Sequence, residues 1–100
     1  MNELFNIKDY VVVITGGTGV LGRSIAKYLA QNGSKVIILG RKEDVGNAIA
    51  DEIVKAGGIC EFMKTDVMCR ETVQKNCDEI MAKYGRIDTL LNAAGGNMAG

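Results

Sequence analysis

Apolar positions along the chain switch between two periods. Tyr10 to Ile14 is a short β-branched run without polar alternation, the pattern of a strand covered on both faces. Val36 to Leu39 repeats it, Ile59 to Met63 is a weaker version, and Ile87 to Leu91 is a fourth. Between these runs the spacing becomes helical. Leu21, Ile25, Tyr28 and Leu29 share one face of a first helix, which stops at Asn32-Gly33. Val45, Ala48, Ile49, Ile53 and Ala56 mark a second, ended by Gly57-Gly58. Val73, Cys77, Ile80, Met81 and Tyr84 recur at i, i+4, i+7, i+8 and i+11 in a third, closed by Gly85. On these faces Tyr28 and Tyr84 are expected in the core.

The predicted order is therefore β-α-β-α-β-α-β, which implies right-handed crossovers and a parallel sheet. That is an α/β fold with a Rossmann-like doubly wound parallel sheet, whose usual strand order is 3-2-1-4-5-6. Only the first β-α-β-α-β-α-β portion is expected here. The first two helices should cover one face and the third the other. The second face and the outer edge of the fourth strand would stay partly bare, so the chain alone is expected to aggregate or fold loosely.

Composition narrows the function classes. One hundred residues, 47% of them apolar, make one small core and no second domain. Twelve basic against 12 acidic side chains give zero formal charge, which disfavours nucleic acid as a partner. The longest strictly apolar run, Val11 to Ile14, is far below the roughly 18 residues of a membrane helix. Met1-Asn2-Glu3 opens with an acid where a signal peptide carries a base, so a cytoplasmic protein is expected. Cys60, Cys69 and Cys77 lack CxxC spacing and the chain has no His, so they read as reduced thiols and no metal site is expected. Asn32-Gly33-Ser34 reads as a turn rather than a glycosylation acceptor.

Directly after the first strand come Thr15, Gly16, Gly17, Thr18, Gly19, Val20, Leu21 and Gly22, with the first helix opening inside the segment. Gly17, Gly19 and Gly22 satisfy GxGxxG between a strand and a helix, the context in which that motif is informative. One glycine permits the tight turn, one lets a pyrophosphate approach the backbone, and one allows close helix packing. Backbone N–H groups and the positive end of the helix dipole would face the phosphates. The structural alternative is a glycine-rich turn that binds nothing. On the first reading, residues 1–100 are the N-terminal part of one dinucleotide-binding domain.

About 20 residues beyond such a loop an acid normally accepts from the adenosine ribose 2′-hydroxyl. Here the second strand ends in Leu39-Gly40-Arg41-Lys42, so two cations stand where the carboxylate is expected. A 2′-phosphate would be favoured there, and NADP over NAD. Alternatively Arg41 and Lys42 form a solvated loop before a helix with Glu43 and Asp44 in its first turn.

Together these residues resemble the short-chain dehydrogenase/reductase family over essentially the whole chain. The resemblance rests on the Thr15 to Gly22 loop, Asp66-Val67, Gly85-Arg86-Ile87-Asp88, and Asn92-Ala93-Ala94-Gly95, which is similar to the family's NNAG motif. It implies that Asp66 holds the adenine with Val67 beside it, and that Asn92, Ala93, Ala94 and Gly95 steady the sheet and line the cofactor cleft. For Asp66 the alternative is an acid at a helix N-terminus. The family's common reductases carry TGxxxGxG, whereas Val20 here occupies the middle glycine position and Gly19 comes one residue early, as in the TGxxGxxG of the epimerases and dehydratases. Gly17 to Gly22 with Gly95-Gly96-Asn97 most resembles the D-mannonate oxidoreductase (fructuronate reductase) group.

The resemblance further implies a Tyr-x-x-x-Lys pair in which tyrosine is the general acid. Tyr10, Tyr28 and Tyr84 are followed four residues later by Ile14, Asn32 and Asp88, so these 100 residues contain no such pair and no catalytic residue is assigned. The expected function is the cofactor-binding N-terminal half of an NAD(P)(H)-dependent oxidoreductase, reducing a carbonyl of a small polar substrate such as a sugar acid and assembling as a homo-oligomer when intact. A non-catalytic nucleotide-binding protein and an epimerase or dehydratase remain open as alternatives.

Overall fold

The structure is a computed structural model and describes residues 9–16, 20–66 and 68–92. Strands β1 (Val11–Thr15), β2 (Lys35–Gly40), β3 (Ile59–Lys64) and β4 (Thr89–Asn92) alternate with helices α1 (Val20–Gln31), α2 (Glu43–Lys55) and α3 (Arg70–Tyr84). All pairings are parallel, in the order β3-β2-β1-β4. The chain thus builds outward from β1 through β2 to β3, then crosses back to place β4 on the other side of β1. Such a reversal opens a crevice at the carboxyl ends of the two strands where it occurs.

Central position explains the β-branched runs. Every residue of β1 is buried, and in β2 only Lys35 is not, because each strand has a neighbour on both edges and helices on both faces. The outer strands β3 and β4 are largely half-buried or exposed. Side chains alternate between two cores. Val12, Ile14, Val36 and Ile38 meet α1 and α2 through Ala26, Ala30, Ile49 and Ile53. Val11, Val13, Ile37 and Leu39 meet α3 through Ile80. The expected division of helices between faces is therefore present. Leu90 of β4, 56% exposed, marks where the sheet stays uncovered.

The helices bury smaller residues than their apolar pattern indicates. In α1 the innermost stripe is Gly22, Ala26 and Ala30, with Ile25 and Leu29 half-buried beside it. Tyr28, expected in the core, is 61% exposed instead. It lies two residues, or about 200°, around the helix from both alanines, so close approach along the alanine stripe turns it to solvent. In α2 the buried stripe is Gly46, Ile49, Ala50 and Ile53. A Cβ on Gly46 would stand 2.6 Å from Cγ of Phe62, so the absence of a side chain is what lets β3 seat its phenyl ring under α2.

In α3, Ile80 is fully buried while Met81, from the same predicted face, is 47% exposed. Tyr84 is half-buried against the α3-side core, and its hydroxyl donates to Glu61 Oε1 at 2.7 Å. Gly85 ends the helix in the left-handed region, φ 82°, and its N–H donates to the Met81 carbonyl.

At the amino ends of the strands the chain closes on itself. The Asp88 carboxylate accepts from the Val11 N–H at 2.8 Å, and the Asp88 N–H donates to the Val11 carbonyl at the same distance. Arg86 donates to Asp88 Oδ1 at 2.6 Å and lies over the Tyr10 ring. The Gly85-Arg86-Ile87-Asp88 segment is thereby a clasp joining β4 to β1.

Candidate cofactor-binding site

At the carboxyl edge of the sheet, strand register brings together four chain segments far apart in sequence. Thr15 pairs with Leu39 on one side and Asn92 on the other, and Gly40 pairs with Lys64. Thr15, Gly40-Arg41, Lys64 to Asp66 and Asn92 consequently lie along one rim.

The turn out of β1 begins at Gly16, whose φ of 73° lies in the left-handed region and whose N–H donates to the Leu39 carbonyl at 2.9 Å. The sequence pattern assigned the tight turn to the GxGxxG glycines, and the residue that bends first is the glycine ahead of them. Val20 and Leu21 open α1, and Gly22 is buried as its third residue. Gly17, Thr18 and Gly19 lie outside the described residues, as do Val67, Ala93, Ala94 and Gly95. The Thr15 hydroxyl is 3.1 Å from Asn92 Oδ1 and 3.3 Å from the Leu91 carbonyl. This contact ties β1 to β4 where the crevice opens.

Arg41 and Lys42 follow β2, both exposed, with Lys42 in the N-cap position of α2. Asp66 follows β3 and is also exposed. Its Oδ1 accepts from the Met68 N–H at 3.0 Å, and its carbonyl accepts from the Cys69 N–H and the Thr72 hydroxyl. A depression of about 500 Å³ lies between these segments, lined by Arg41, Lys64, Thr65, Asp66 and Thr72.

Below that depression, Asn76 is a buried polar residue on α3. Its amide donates to the Thr65 hydroxyl, which reaches the Met63 carbonyl at 3.2 Å, while the Thr65 N–H donates to the Gly40 carbonyl. Burying an amide is costly unless it is bonded, so this chain of contacts fixes the ends of β2 and β3 relative to α3. Thr72 adds a second tie, since its hydroxyl lies 3.0 Å from the Asp66 carbonyl and 2.9 Å from that of Cys69. Hydrogen bonds from the backbone and side chain of Thr72 also lower the Cys69 thiol, whereas burial pushes Cys60 up to about 12.

Lys64, Thr72 and Asn76 were not singled out from sequence. The apolar run stops at Met63, which hid Lys64 at the strand terminus, and a polar residue on a helix reads as solvent-facing until its neighbours are known. A smaller depression, about 240 Å³, lies between α1 and α2 around Lys27, Glu52 and Gly58. Its charges are already matched, Glu52 pairing with Arg23 and Lys27 at 2.9 Å each, and both hydrogen bonds hold the Glu52 carboxyl below its ordinary range.

A glycine turn, an open carboxylate and exposed cations at the carboxyl ends of parallel strands suit a dinucleotide. Comparison with known proteins agrees at the level of family. The chain is 40% identical over 92 residues to the "Uncharacterized oxidoreductase UxuB" of Bacillus subtilis (strain 168), covering 92% of this chain and 33% of that protein. It is 39% identical over 87 residues to a 3beta-hydroxysteroid dehydrogenase of Mediterraneibacter gnavus, covering 87% and 32%. Among solved structures, a metagenomic short-chain oxidoreductase in complex with NADP superposes with a TM-score of 0.81 at 29% identity, covering 85% of this chain and 38% of that one. The chain spans about a third of the length of the curated relatives it matches. Among the described residues no helix is long and apolar enough to cross a membrane. The short chain dehydrogenase family model matches residues 10–100, and with the sheet order and the carboxyl-edge crevice this makes the chain a member of the short chain dehydrogenase family.

Proposed function

We propose that the chain is the cofactor-binding portion of an NAD(P)(H)-dependent carbonyl/alcohol oxidoreductase with NADP(H) as the preferred cofactor. The observation that carries this reading is the carboxyl-edge depression, where Arg41 stands in place of a ribose-binding acid and faces Asp66 across the ends of β2 and β3. In this reading the segment from Thr15 to Gly22 passes under the pyrophosphate, and Asp66 with Val67 receives the adenine. Asn92 to Gly95 line the cleft, and Arg41 belongs to the 2′-phosphate side. The dinucleotide supplies hydride chemistry at its nicotinamide. The residues described here bind and orient it.

The proton donor is expected outside residues 1–100, because none of Tyr10, Tyr28 and Tyr84 has a lysine four positions on. The alternative reading is a protein that binds the nucleotide without catalysis. A Tyr-x-x-x-Lys downstream of a fifth strand in the reading frame would decide for the enzyme. Residues 1–100 expressed alone are expected to show no carbonyl-dependent NADPH oxidation.

Two substrate classes compete. The segment Gly17 to Gly22 together with Gly95-Gly96-Asn97 supports the D-mannonate oxidoreductase grouping and hence a sugar acid. The hydroxysteroid dehydrogenase among the relatives supports a steroid-type alcohol. The test uses the protein expressed in its full reading frame. Calorimetry should give tighter binding of NADPH than of NADH, and turnover on a sugar-acid panel against a hydroxysteroid panel assigns the class. Failure to bind either dinucleotide would overturn the proposal.

A further inference from the structure

We infer that Lys64 is the second cation on the 2′-phosphate side of the cofactor site, the role for which the sequence offers Lys42. This rests on the dinucleotide-binding reading above and deepens it. Lys64 closes β3 in register with Gly40, the residue before Arg41, so the two cations meet across neighbouring strand ends despite 22 intervening residues. Both line the same depression, together with Thr65, Asp66 and Thr72. Lys42 is outside that lining. It stands at the N-cap of α2, directly before Glu43 and Asp44.

Some cations among the described residues are ion-paired and others are not, and what marks this position is that two unpaired ones line one depression. Arg23, Lys27, Lys83 and Arg86 each hold a carboxylate within 3.0 Å. Arg41 and Lys64 have no ion-pair partner among the described residues. The acid in their depression, Asp66, turns one oxygen to the Met68 N–H instead. A dianionic phosphate monoester in that depression would make a charge-assisted contact with each of the two cations. The hydroxyl of Thr72 and the carboxylate of Asp66, on the same lining, distinguish a nucleoside bearing such a phosphate from free phosphate.

The experiment measures dissociation constants for NADPH and NADH in the full-frame protein and in Lys64→Met, Lys42→Met and Arg41→Ala, each at low and high salt. Lys64 is exposed at a strand end, so its variant should keep the wild-type circular dichroism spectrum and melting temperature. Lys64→Met is expected to weaken NADPH by roughly fivefold to tenfold and to flatten its salt dependence, as for one solvent-screened phosphate contact. NADH should stay within about twofold, and Lys42→Met within about twofold for both cofactors. Unchanged NADPH affinity in Lys64→Met, equal weakening of both cofactors, or a larger selective loss in Lys42→Met would overturn the assignment. A selective loss in Arg41→Ala beside a silent Lys64→Met overturns Lys64 alone, whereas a wild-type protein that binds neither dinucleotide overturns the functional reading and Lys64 with it.

Discussion

The two ends of one parallel sheet are built on opposite electrostatic terms. At the amino end, Asp88 accepts from the Val11 N–H and from Arg86, and Arg86 covers Tyr10. Arg86 and Asp88 thus answer each other's charge within the chain. At the carboxyl end, Arg41 and Lys64 stand without a carboxylate partner among the described residues, and Gly16 holds a backbone conformation other residues avoid. Polar groups satisfied internally close a fold, and those left facing one depression are available to a ligand. Backbone geometry gives the same contrast, because parallel strands present all their carboxyl ends at one edge, where successive loops converge.

Substitutions at the two ends should therefore fail in different assays. The largest effect is expected for Gly22→Val, which forces a branched side chain into a buried position in the first turn of α1. Dinucleotide binding should be lost in calorimetric titration. Wild-type affinity in that variant would reduce the loop to a structural turn. Next comes Arg41→Ala, expected to weaken NADPH by about tenfold or more while NADH is spared, in line with one charge-assisted contact of about 1.5 to 3 kcal/mol. Equal weakening of both cofactors would break the assignment of charge to ligand at this edge.

A third variant probes what holds the edge in place. Gly46→Ala gains about 1 kcal/mol of helix propensity but drives a methyl group into the Phe62 ring, an overpacking that costs about 1 to 3 kcal/mol. A lower urea midpoint is expected, and a higher one would mean that β3 yields easily.

The smallest effect belongs to the amino end. Arg86, with the Val11 N–H, holds the Asp88 carboxyl below its ordinary range. A depressed carboxyl stabilises the fold above its unfolded value, near 3.9, and that contribution fades as pH falls through the folded value. Asp88→Asn should thus be modestly less stable than wild type at neutral pH, with the gap closing in acid and cofactor affinity unchanged. Urea melts along an acid series measure this, and a gap independent of pH would show that the clasp acts without charge.

The strands were legible in the sequence because hydrophobic period is a local property, carried by runs such as Val11 to Ile14 and Val36 to Leu39, and their sheet order and the division of helices between faces followed from the doubly wound fold that the strand–helix alternation implies. The glycine segment after β1 and the cations after β2 were legible for the same reason. Their chemistry lies in a few consecutive residues at a strand end, and the family resemblance drew on the same segments. Tertiary structure decided the rest. Tyr28 sits on an apolar helix face by pattern, yet Ala26 and Ala30 take the sheet contact, because the closest approach of two surfaces selects the smallest side chains. Gly46 acquires its purpose only when Phe62 arrives from another strand, and Asn76 becomes a buried tie only when Thr65 meets it. Lys64 joins Arg41 solely through the register of β2 with β3. A sequence states which residues are apolar, charged or unusually small, while the distance between residues remote along the chain is set by strand register and helix packing.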